Sequence, residues 1–174
     1  MINFDSLKEY KKGVDFYIDR EGELVTKTDL YEITSSTCAL VALAERQTKV
    51  IEKQRSFIIN RSVYEILSYS CEYYGSSLEG RMKGAKKQLG MGYKLPITIE
   101  GSQEIIIFPT TSPTRDDCSW IAIKNIDTYR AIDNCVEVHF FGGAKEIFEL
   151  SIDSLENQMF RATKLMMIIR NRKS

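Results

Sequence analysis

The sequence is poor in the side chains on which metal centres and acid–base catalysis usually depend. It contains one histidine, His139, and four cysteines, no two of which are two to four residues apart. Because a structural zinc site usually draws its ligands from closely spaced pairs, this spacing indicates no such site. His139 lies within an alternating strand pattern, and no neighbouring motif would make it a general base. We therefore expect no metal, no cofactor and no enzymatic activity.

Long apolar runs are also missing. The two longest, CALVALA and LMMII, are far shorter than the roughly 20 residues that a transmembrane helix needs. The chain opens with MINFDSLKEYKK, which has acidic residues at once and lacks the apolar region of a signal peptide. We accordingly expect a cytoplasmic protein with reduced thiols and no membrane partner.

An excess of charge of either sign is absent as well, but the charges are unevenly distributed. The 24 lysines and arginines balance the 24 aspartates and glutamates. Residues 75–94 hold five cations and one acid, and residues 157–174 hold five cations and no acid, whereas residues 1–36 and 127–156 are acidic. Any affinity for nucleic acid must therefore come from the two basic segments, although an ordinary solvated face is the alternative for each of them.

What the sequence does contain is the apolar patterning of a single α+β domain with antiparallel strands. Alternating or β-rich runs predict strands at 37–44, 49–53, 56–60 and in SWIAI, and a strand followed by a turn in GVDFYIDREGELV. PITIEGSQEIIIFP is typical of a hairpin, and so is CVEVHFF followed by GG and KEIFELSI. The short polar links between strands favour antiparallel pairing, and no linker divides the chain.

Two helices are indicated by their apolar period. Residues 62–75 combine a helical stripe with a capping box of Ser62 and Glu65, and Gly75 closes the helix. The second helix is predicted at the C-terminal end, from about Asp153 to Arg172. Its apolar positions are Leu155, Met159, Ala162, Met166 and Ile169, and the stripe is widened by Phe160, Leu165, Met167 and Ile168. Since one face suffices for an intramolecular core, this excess predicts self-association through the helix.

The segment YYGSSLEGRMKGAKKQLGMGYK, residues 73–94, holds five of the ten glycines of the chain. Ser76 and Glu79 have the spacing of another capping box. The apolar residues that would face inward from a helix here are Leu78, Met82, Ala85 and Leu89. Gly80 and Gly84 would each cost that helix about 1 kcal/mol. We therefore expect a short, loosely held helix or a mixed helix–loop element.

A flexible, basic, hydroxyl-bearing segment suits a phosphate group, which belongs either to a nucleotide or to a nucleic-acid backbone. Residues 75–81, GSSLEGR, resemble the opening of a P-loop, but Arg81 and Met82 stand where lysine and a hydroxyl residue are required. A P-loop also follows a strand, whereas this segment follows a predicted helix. A nucleotide-binding enzyme is therefore the weaker alternative, and a non-catalytic protein-interaction module is the main rival to nucleic-acid binding.

Contact with a nucleic-acid backbone agrees best with the residue types. Spaced cations neutralise phosphates, serines donate hydrogen bonds, and glycines let the main chain approach closely. The candidate DNA-binding residues of the segment are Ser76, Ser77, Gly80, Arg81, Lys83, Lys86, Lys87 and Lys94. Thr114 and Arg115, in the loop TTSPTRDDC, complete the set. We assign the lysines to phosphates, and Arg81 and Arg115 to a groove.

Three stretches carry a resemblance to a known family. They are YYGSSLEGRMKGAK, PITIEGSQEIIIFPTTSPTRDDCSWIA and FELSIDSLENQMFRATKL. Their pattern resembles the competence transcription factor family of Bacillus and its relatives, the ComK type, with matches at Tyr73–Gly84, Phe108–Ile121 and Ser151–Gln158. The resemblance covers about residues 30–170. Compared with the family pattern, residues 1–28 are expected to form an N-terminal extension, and residues 29–174 are expected to form the DNA-binding domain.

The resemblance implies a DNA-binding activator of the genes for natural transformation, at the nucleoid in the bacterial cytoplasm. Relatives are thought to recognise paired A/T-rich boxes mainly from the minor groove, as dimers that pair into tetramers, and RNA polymerase is a further candidate partner. A narrow A-tract groove concentrates negative potential and attracts arginine, which agrees with the roles given to Arg81 and Arg115. The sequence stops just after its final helix, where some relatives continue into a tail used in adaptor-directed proteolysis, so it does not indicate whether such turnover controls this protein.

Overall fold

The computed structural model describes residues 16–18, 24–26, 31–90 and 92–173, with side chains for 31–90 and 92–172. In this part of the chain the strands are β1 (Phe16–Ile18), β2 (Leu24–Thr26), β3 (Thr37–Ala42), β4 (Thr48–Glu52), β5 (Ser56–Ile59), β6 (Ile97–Glu100), β7 (Ile105–Pro109), β8 (Trp120–Ala122), β9 (Ile126–Ile132), β10 (Cys135–Phe140) and β11 (Lys145–Phe148). The α-helices are α1 (Val63–Tyr73), α2 (Leu78–Leu89) and α3 (Ile152–Lys173). The predicted α+β class with a central and a C-terminal helix is confirmed.

Eight strands form one mixed sheet in the order β1-β2-β5-β4-β3-β8-β7-β6. Every neighbouring pair is antiparallel except β2 and β5, which run parallel. Strands β1 to β5 form one half of this sheet, and β6 to β8 form the other. The pairing of β3 with β8 joins the two halves and places Leu40 opposite Trp120. The predicted strands at 37–44, 49–53 and 56–60 and the hairpin up to Pro109 are confirmed. Val14, which we placed in the first strand, lies outside the described residues.

A second sheet has the order β11-β10-β9. Its hairpin of β10 and β11 was predicted, but β9 was not. Beyond the buried Ile126, the residues of β9 are exposed or half-buried, because this strand lies at the edge of the small sheet. Its sequence therefore lacks the apolar alternation by which strands are usually recognised.

The large sheet is covered on both of its faces. In β7, Ile105 and Ile107 belong to the apolar cluster that includes α1, whereas Ile106 and Phe108 belong to the cluster that includes α3 and the small sheet. This alternation is what a strand buried on both faces requires, and it accounts for the unbroken apolar run of β7. Burial of each such side chain contributes about 1.5–3 kcal/mol to stability.

The helix α1 begins as its sequence predicts. The Ser62 hydroxyl accepts a hydrogen bond from the Glu65 amide at 3.2 Å, and the Glu65 carboxylate accepts one from the Ser62 amide at 2.8 Å. Gly75 follows the helix with a φ of +80°, which a glycine adopts without strain. The capping box and the glycine stop are both confirmed.

The C-terminal helix α3 also matches its prediction, with one correction. Leu155, Ala162 and Leu165 are fully buried against the sheet. Leu165 therefore belongs to the core stripe, and the half-buried Ile168 packs against the same core. The assignment of these two residues to the surplus apolar surface was wrong. Phe160 and Met167, which are 71% and 55% exposed, do lie outside that stripe.

Candidate nucleic-acid interface

The glycine-rich segment folds into a regular helix of 12 residues, α2, rather than the loose or mixed element that we expected. Its N-cap is Ser77, whose hydroxyl accepts a hydrogen bond from the Gly80 amide at 3.0 Å. The predicted capping box of Ser76 and Glu79 was therefore wrong, and Glu79 instead pairs with Lys83 at 2.8 Å. A Cβ atom on residue 80 would lie 2.9 Å from the Ser77 hydroxyl oxygen, so a glycine there leaves room for the cap.

The helix α2 separates its apolar residues from its lysines. Leu78, Ala85 and Leu89 are buried and Met82 is half-buried, as the predicted inward stripe requires. On the opposite side Lys83, Lys86 and Lys87 are exposed. The amphipathic packing of the helix therefore directs the three ammonium groups to solvent.

Together with the glycines that follow the helix, these lysines line an open concavity. Gly90 ends α2 with a φ of +70°, and Gly92 lies beside the Lys86 side chain. A Cβ atom on residue 92 would lie 3.2 Å from Lys86 Cε. The concavity is lined by Lys83, Lys86, Lys87, Gly90 and Gly92. Three cations beside two glycines that leave the main chain uncovered suit an anionic polymer.

Arg81 does not point into this concavity but lies half-buried against the sheet. Its Nη2 atom donates a long hydrogen bond of 3.4 Å to the Ile99 carbonyl of β6. Its Nε atom is buried without a hydrogen-bond partner among the described residues. Burial raises the pKa of the Cys71 thiol to about 11, and the positive charge of Arg81 opposes that rise. These contacts are those of a residue that braces α2 against β6.

The loop after α2 joins the two basic segments of the sequence. Lys94 has a φ of +48°, and its ammonium group lies 5.6 Å from the centre of the Tyr93 ring. The carbonyl of Tyr93 accepts a hydrogen bond from Arg161 of α3 at 3.2 Å. The sequence analysis named neither Tyr93 nor Arg161 as a candidate, and no local pattern links two residues that lie 68 positions apart.

The other candidate residues, Thr114 and Arg115, lie on the exposed loop between β7 and β8. Three hydrogen bonds between Thr110 and Ser119 close the base of the loop. The Thr110 amide and hydroxyl donate to the Ser119 carbonyl at 2.9 and 3.1 Å, and the Ser119 amide donates to the Thr110 hydroxyl at 3.2 Å. Arg115 forms a two-pronged ion pair with Asp117, in which Nε and Nη2 each donate at 2.8 Å. Its hydrogen bonds lower the pKa of the Asp117 carboxyl below the ordinary value.

One turn of α3 contacts both candidate segments. The Gln158 amide donates to the Pro109 carbonyl at 2.7 Å, directly before the β7–β8 loop. Arg161 donates both to the Tyr93 carbonyl and to the Gln158 side chain, each at 3.2 Å. The loop after α2 and the base of the Arg115 loop therefore meet at the same place on α3.

Not every cation of the second basic segment is available for a ligand. Arg170 forms an ion pair through two of its nitrogens with Glu104, in the turn between β6 and β7. Lys124 donates to the same carboxylate at 3.2 Å. These bonds, led by the bond from Arg170, lower the pKa of Glu104 to about 2. Arg170 therefore fastens the end of α3 to the large sheet.

The P-loop-like alternative finds little support in the geometry. The P-loop-like stretch follows α1 and enters α2, so it lacks the preceding strand that a P-loop needs. Within the described residues, no group of three or more histidine, cysteine, aspartate or glutamate side chains could hold a metal ion. No helix in the same part of the chain is long and apolar enough to cross a membrane.

Comparison with known proteins identifies the family. Residues 28–174 match the model of the ComK protein family. The chain belongs to the ComK family. It is 32% identical over 139 residues to the competence transcription factor of Bacillus subtilis strain 168, a match that covers 78% of this chain and 72% of that protein. No solved structure matches the chain. The resemblance that the sequence motifs indicated is thereby confirmed.

Proposed function

We propose that this ComK-family protein is a sequence-specific DNA-binding activator of competence genes, which recognises A/T-rich promoter boxes mainly through the minor groove. Membership of the family and the name of the B. subtilis relative support the coarser statement, a regulator of transcription in competence. The observation that carries the DNA-binding part is the lysine-lined concavity of α2, in a chain with no net charge.

The lysines serve as phosphate contacts. Lys83, Lys86 and Lys87 lie on one exposed side of α2, and flexible ammonium groups act as point charges toward phosphate whatever the base sequence. Ser76 and Ser77 precede α2, and Lys94 lies in the loop after it, so we assign them further backbone contacts at the two ends of the helix. Lys83 is balanced by Glu79, which leaves Lys86 and Lys87 as the principal contacts.

Arg115 is the residue that reads the groove. It is exposed at the tip of a loop whose base is closed by hydrogen bonds, so the loop holds it away from the body of the protein. A guanidinium of this kind favours the narrow groove of A/T tracts, where negative potential is concentrated. Arg81 is the less suited of the two arginines, because it is half-buried and directed toward Ile99.

The protein acts as a homodimer or tetramer on paired boxes, with RNA polymerase as a candidate partner at the promoter. Exposed Phe160 and Met167 on α3 support self-association. They lie on the same helix as Gln158 and Arg161, whose contacts join the two candidate DNA-binding segments. Contact between two copies along α3 would therefore place two such surfaces side by side.

A salt-titrated binding assay on two duplexes tests the proposal. One duplex carries paired A/T-rich boxes, and the other is G/C-rich and of equal length. We expect tighter binding to the first, with affinity for both falling as salt rises because counterions are released from the phosphates. Equal affinity for the two duplexes would contradict sequence-specific recognition. Binding to neither would leave the protein-interaction module as the better interpretation.

A further inference from the structure

The guanidinium group that we assign to the groove is already occupied by an anion of the protein itself. Nε and Nη2 of Arg115 each lie 2.8 Å from an oxygen of Asp117. Both N–H donors on this edge of the guanidinium are therefore bound to one carboxylate. In the minor groove the same N–H groups would donate to the A N3 and T O2 acceptors, so Asp117 occupies donors that the proposed groove contact requires.

The loop places the two residues so that the pair forms without help from distant parts of the chain. The Arg115 amide donates to the Ser112 carbonyl at 3.0 Å, and the Cys118 amide donates to the Arg115 carbonyl at 3.2 Å. These turns bring the side chains at positions 115 and 117 to the same side of the loop. Both side chains remain about 60% exposed, at 62% and 60%, so an external anion can reach the pair.

We propose that Asp117 is an internal competitor of DNA for Arg115, so that binding requires the ion pair to open. The inference rests on the proposed function and adds to it a residue that sets the affinity. In the free protein the carboxylate neutralises the guanidinium. In the complex the DNA groove takes the place of the Asp117 carboxylate as the partner of Arg115. Opening the ion pair costs free energy, and this cost weakens the observed binding.

The neighbouring Asp116 provides a matched control. It is exposed, and its carboxylate has no hydrogen-bond or ion-pair partner among the described residues. Asp116→Asn and Asp117→Asn each remove one negative charge from the same loop. They therefore change the general attraction to DNA equally, but only the second also releases Arg115.

The test is a thermodynamic cycle of four loop variants: Asp116→Asn, Asp117→Asn, Arg115→Ala and the double variant Arg115→Ala/Asp117→Asn. Dissociation constants are measured on the A/T-box duplex. Because an exposed ion pair stabilises by little, we expect Asp117→Asn to bind about two- to fivefold more tightly than Asp116→Asn. In the Arg115→Ala background, Asp117→Asn should increase affinity only as much as Asp116→Asn does in the unmodified protein.

Three results would overturn the proposal. The first is that Asp117→Asn binds no more tightly than Asp116→Asn. The second is that its advantage over Asp116→Asn persists when Arg115 is alanine. The third is that Asp117→Asn weakens binding, which would mean that the carboxylate holds Arg115 in its productive position.

A readout without DNA is the guanidinium Nε–H signal of Arg115 in nuclear magnetic resonance spectra. That signal should shift in Asp117→Asn and stay in place in Asp116→Asn. If the unmodified protein prefers no duplex, the proposed function fails as well. If it prefers A/T boxes but the cycle shows no coupling, this inference fails alone.

Discussion

At the scale of single residues, the lysines of α2 and the arginine of the β7–β8 loop should contribute to DNA binding in different ways. Replacing Lys86 or Lys87 by alanine should weaken binding to A/T-box and random duplexes alike. The slope of log affinity against log salt should fall by roughly one unit per lost phosphate contact. The measurement is a salt titration on both duplexes.

A lysine outside the candidate surface provides the control for this prediction. Lys145 is exposed on β11 of the small sheet, and its replacement by alanine removes the same charge. We expect this control to keep nearly the full salt slope. Equal slopes for Lys145→Ala and Lys87→Ala would show that the α2 lysines act only through the net charge of the protein.

Replacing Arg115 by alanine should reduce affinity for the A/T-box duplex by about 1–3 kcal/mol and affinity for random duplex much less. The physical reason is that an arginine in a narrowed groove responds to sequence-dependent shape, whereas a phosphate contact does not. Competition titrations with the two duplexes, run beside a melting curve for each variant, provide the measurement. A folded Arg115→Ala protein that keeps its full preference for A/T boxes would refute the assignment.

At the scale of secondary-structure elements, two glycines of α2 provide a matched pair. A Cβ atom on residue 84 would meet nothing within 4 Å, whereas one on residue 80 would lie 2.9 Å from the Ser77 hydroxyl oxygen. Gly84→Ala should therefore stabilise the protein by about 0.5–1 kcal/mol through helix propensity. In Gly80→Ala the same gain is offset by about 1 kcal/mol, because the Ser77 cap must move away.

Urea unfolding of the two variants measures the difference. We expect a higher midpoint for Gly84→Ala and a midpoint near that of the unmodified protein for Gly80→Ala. Ser77→Ala should lower the midpoint in the unmodified protein and have little effect in the Gly80→Ala background. An equal rise for both glycine variants would mean that the Ser77 hydroxyl does not cap α2.

The surface of α3 gives a further prediction for an element. Replacing Phe160 and Met167 by serine should move the protein toward the monomer in sedimentation experiments at tens of micromolar, because both side chains are more than half exposed at 71% and 55%. Phe141→Ser is the control, since Phe141 is 49% exposed on a different part of the chain. An unmodified protein that sediments as a monomer, with and without DNA, would refute self-association.

At the scale of the whole molecule, Glu104 connects the end of α3 to the sheet and should make stability depend on pH. Its pKa is lowered from 4.5 to about 2, first by the bond from Arg170 and then by the bond from Lys124. A carboxyl group whose pKa is lower in the folded state stabilises the fold above its unfolded pKa. That stabilisation is lost as the pH falls through the folded value. The window for Glu104 therefore runs from about pH 5 down to about pH 2.

The variant Glu104→Gln isolates this contribution from that of the other carboxyl groups. Its melting temperature should lie below that of the unmodified protein at pH 7, and the gap should close as the pH approaches 2. Glu149→Gln is a suitable control, because Glu149 is exposed and has no partner among the described residues. A gap for Glu104→Gln that is independent of pH would mean that the contact stabilises by packing rather than by charge.

Several features of the fold could be read from the sequence because they depend on residues close together in the chain. The capping box of Ser62 and Glu65 and the stop at Gly75 each involve residues within one or two helical turns. The extent of α3 follows from apolar residues that recur every three or four positions along one continuous stretch. The hairpins likewise combine two adjacent strands with a short turn. The family motifs are also continuous stretches of residues, so the relationship to ComK proteins could be recognised from the sequence alone.

Other features were decided only by the tertiary structure. The burial of Leu78, Ala85 and Leu89 stabilises α2 as a regular helix in spite of its glycines, and helix propensity alone could not reveal that packing. The strand β9 forms because β10 provides its hydrogen-bonding partners, not because of its own pattern. Which aspartate pairs with Arg115 depends on how the loop turns between residues 112 and 118.

The candidate interface shows the same division most clearly. The sequence alone determined its residue types, namely the lysines, glycines and arginines of two motifs. The position of the loop after α2 relative to the Arg115 loop depends on α3, which contacts Tyr93 through Arg161 and Pro109 through Gln158. These partners are 68 and 49 residues apart in the chain. Contacts over such separations form only when the packed core brings the elements together, so no local pattern encodes them.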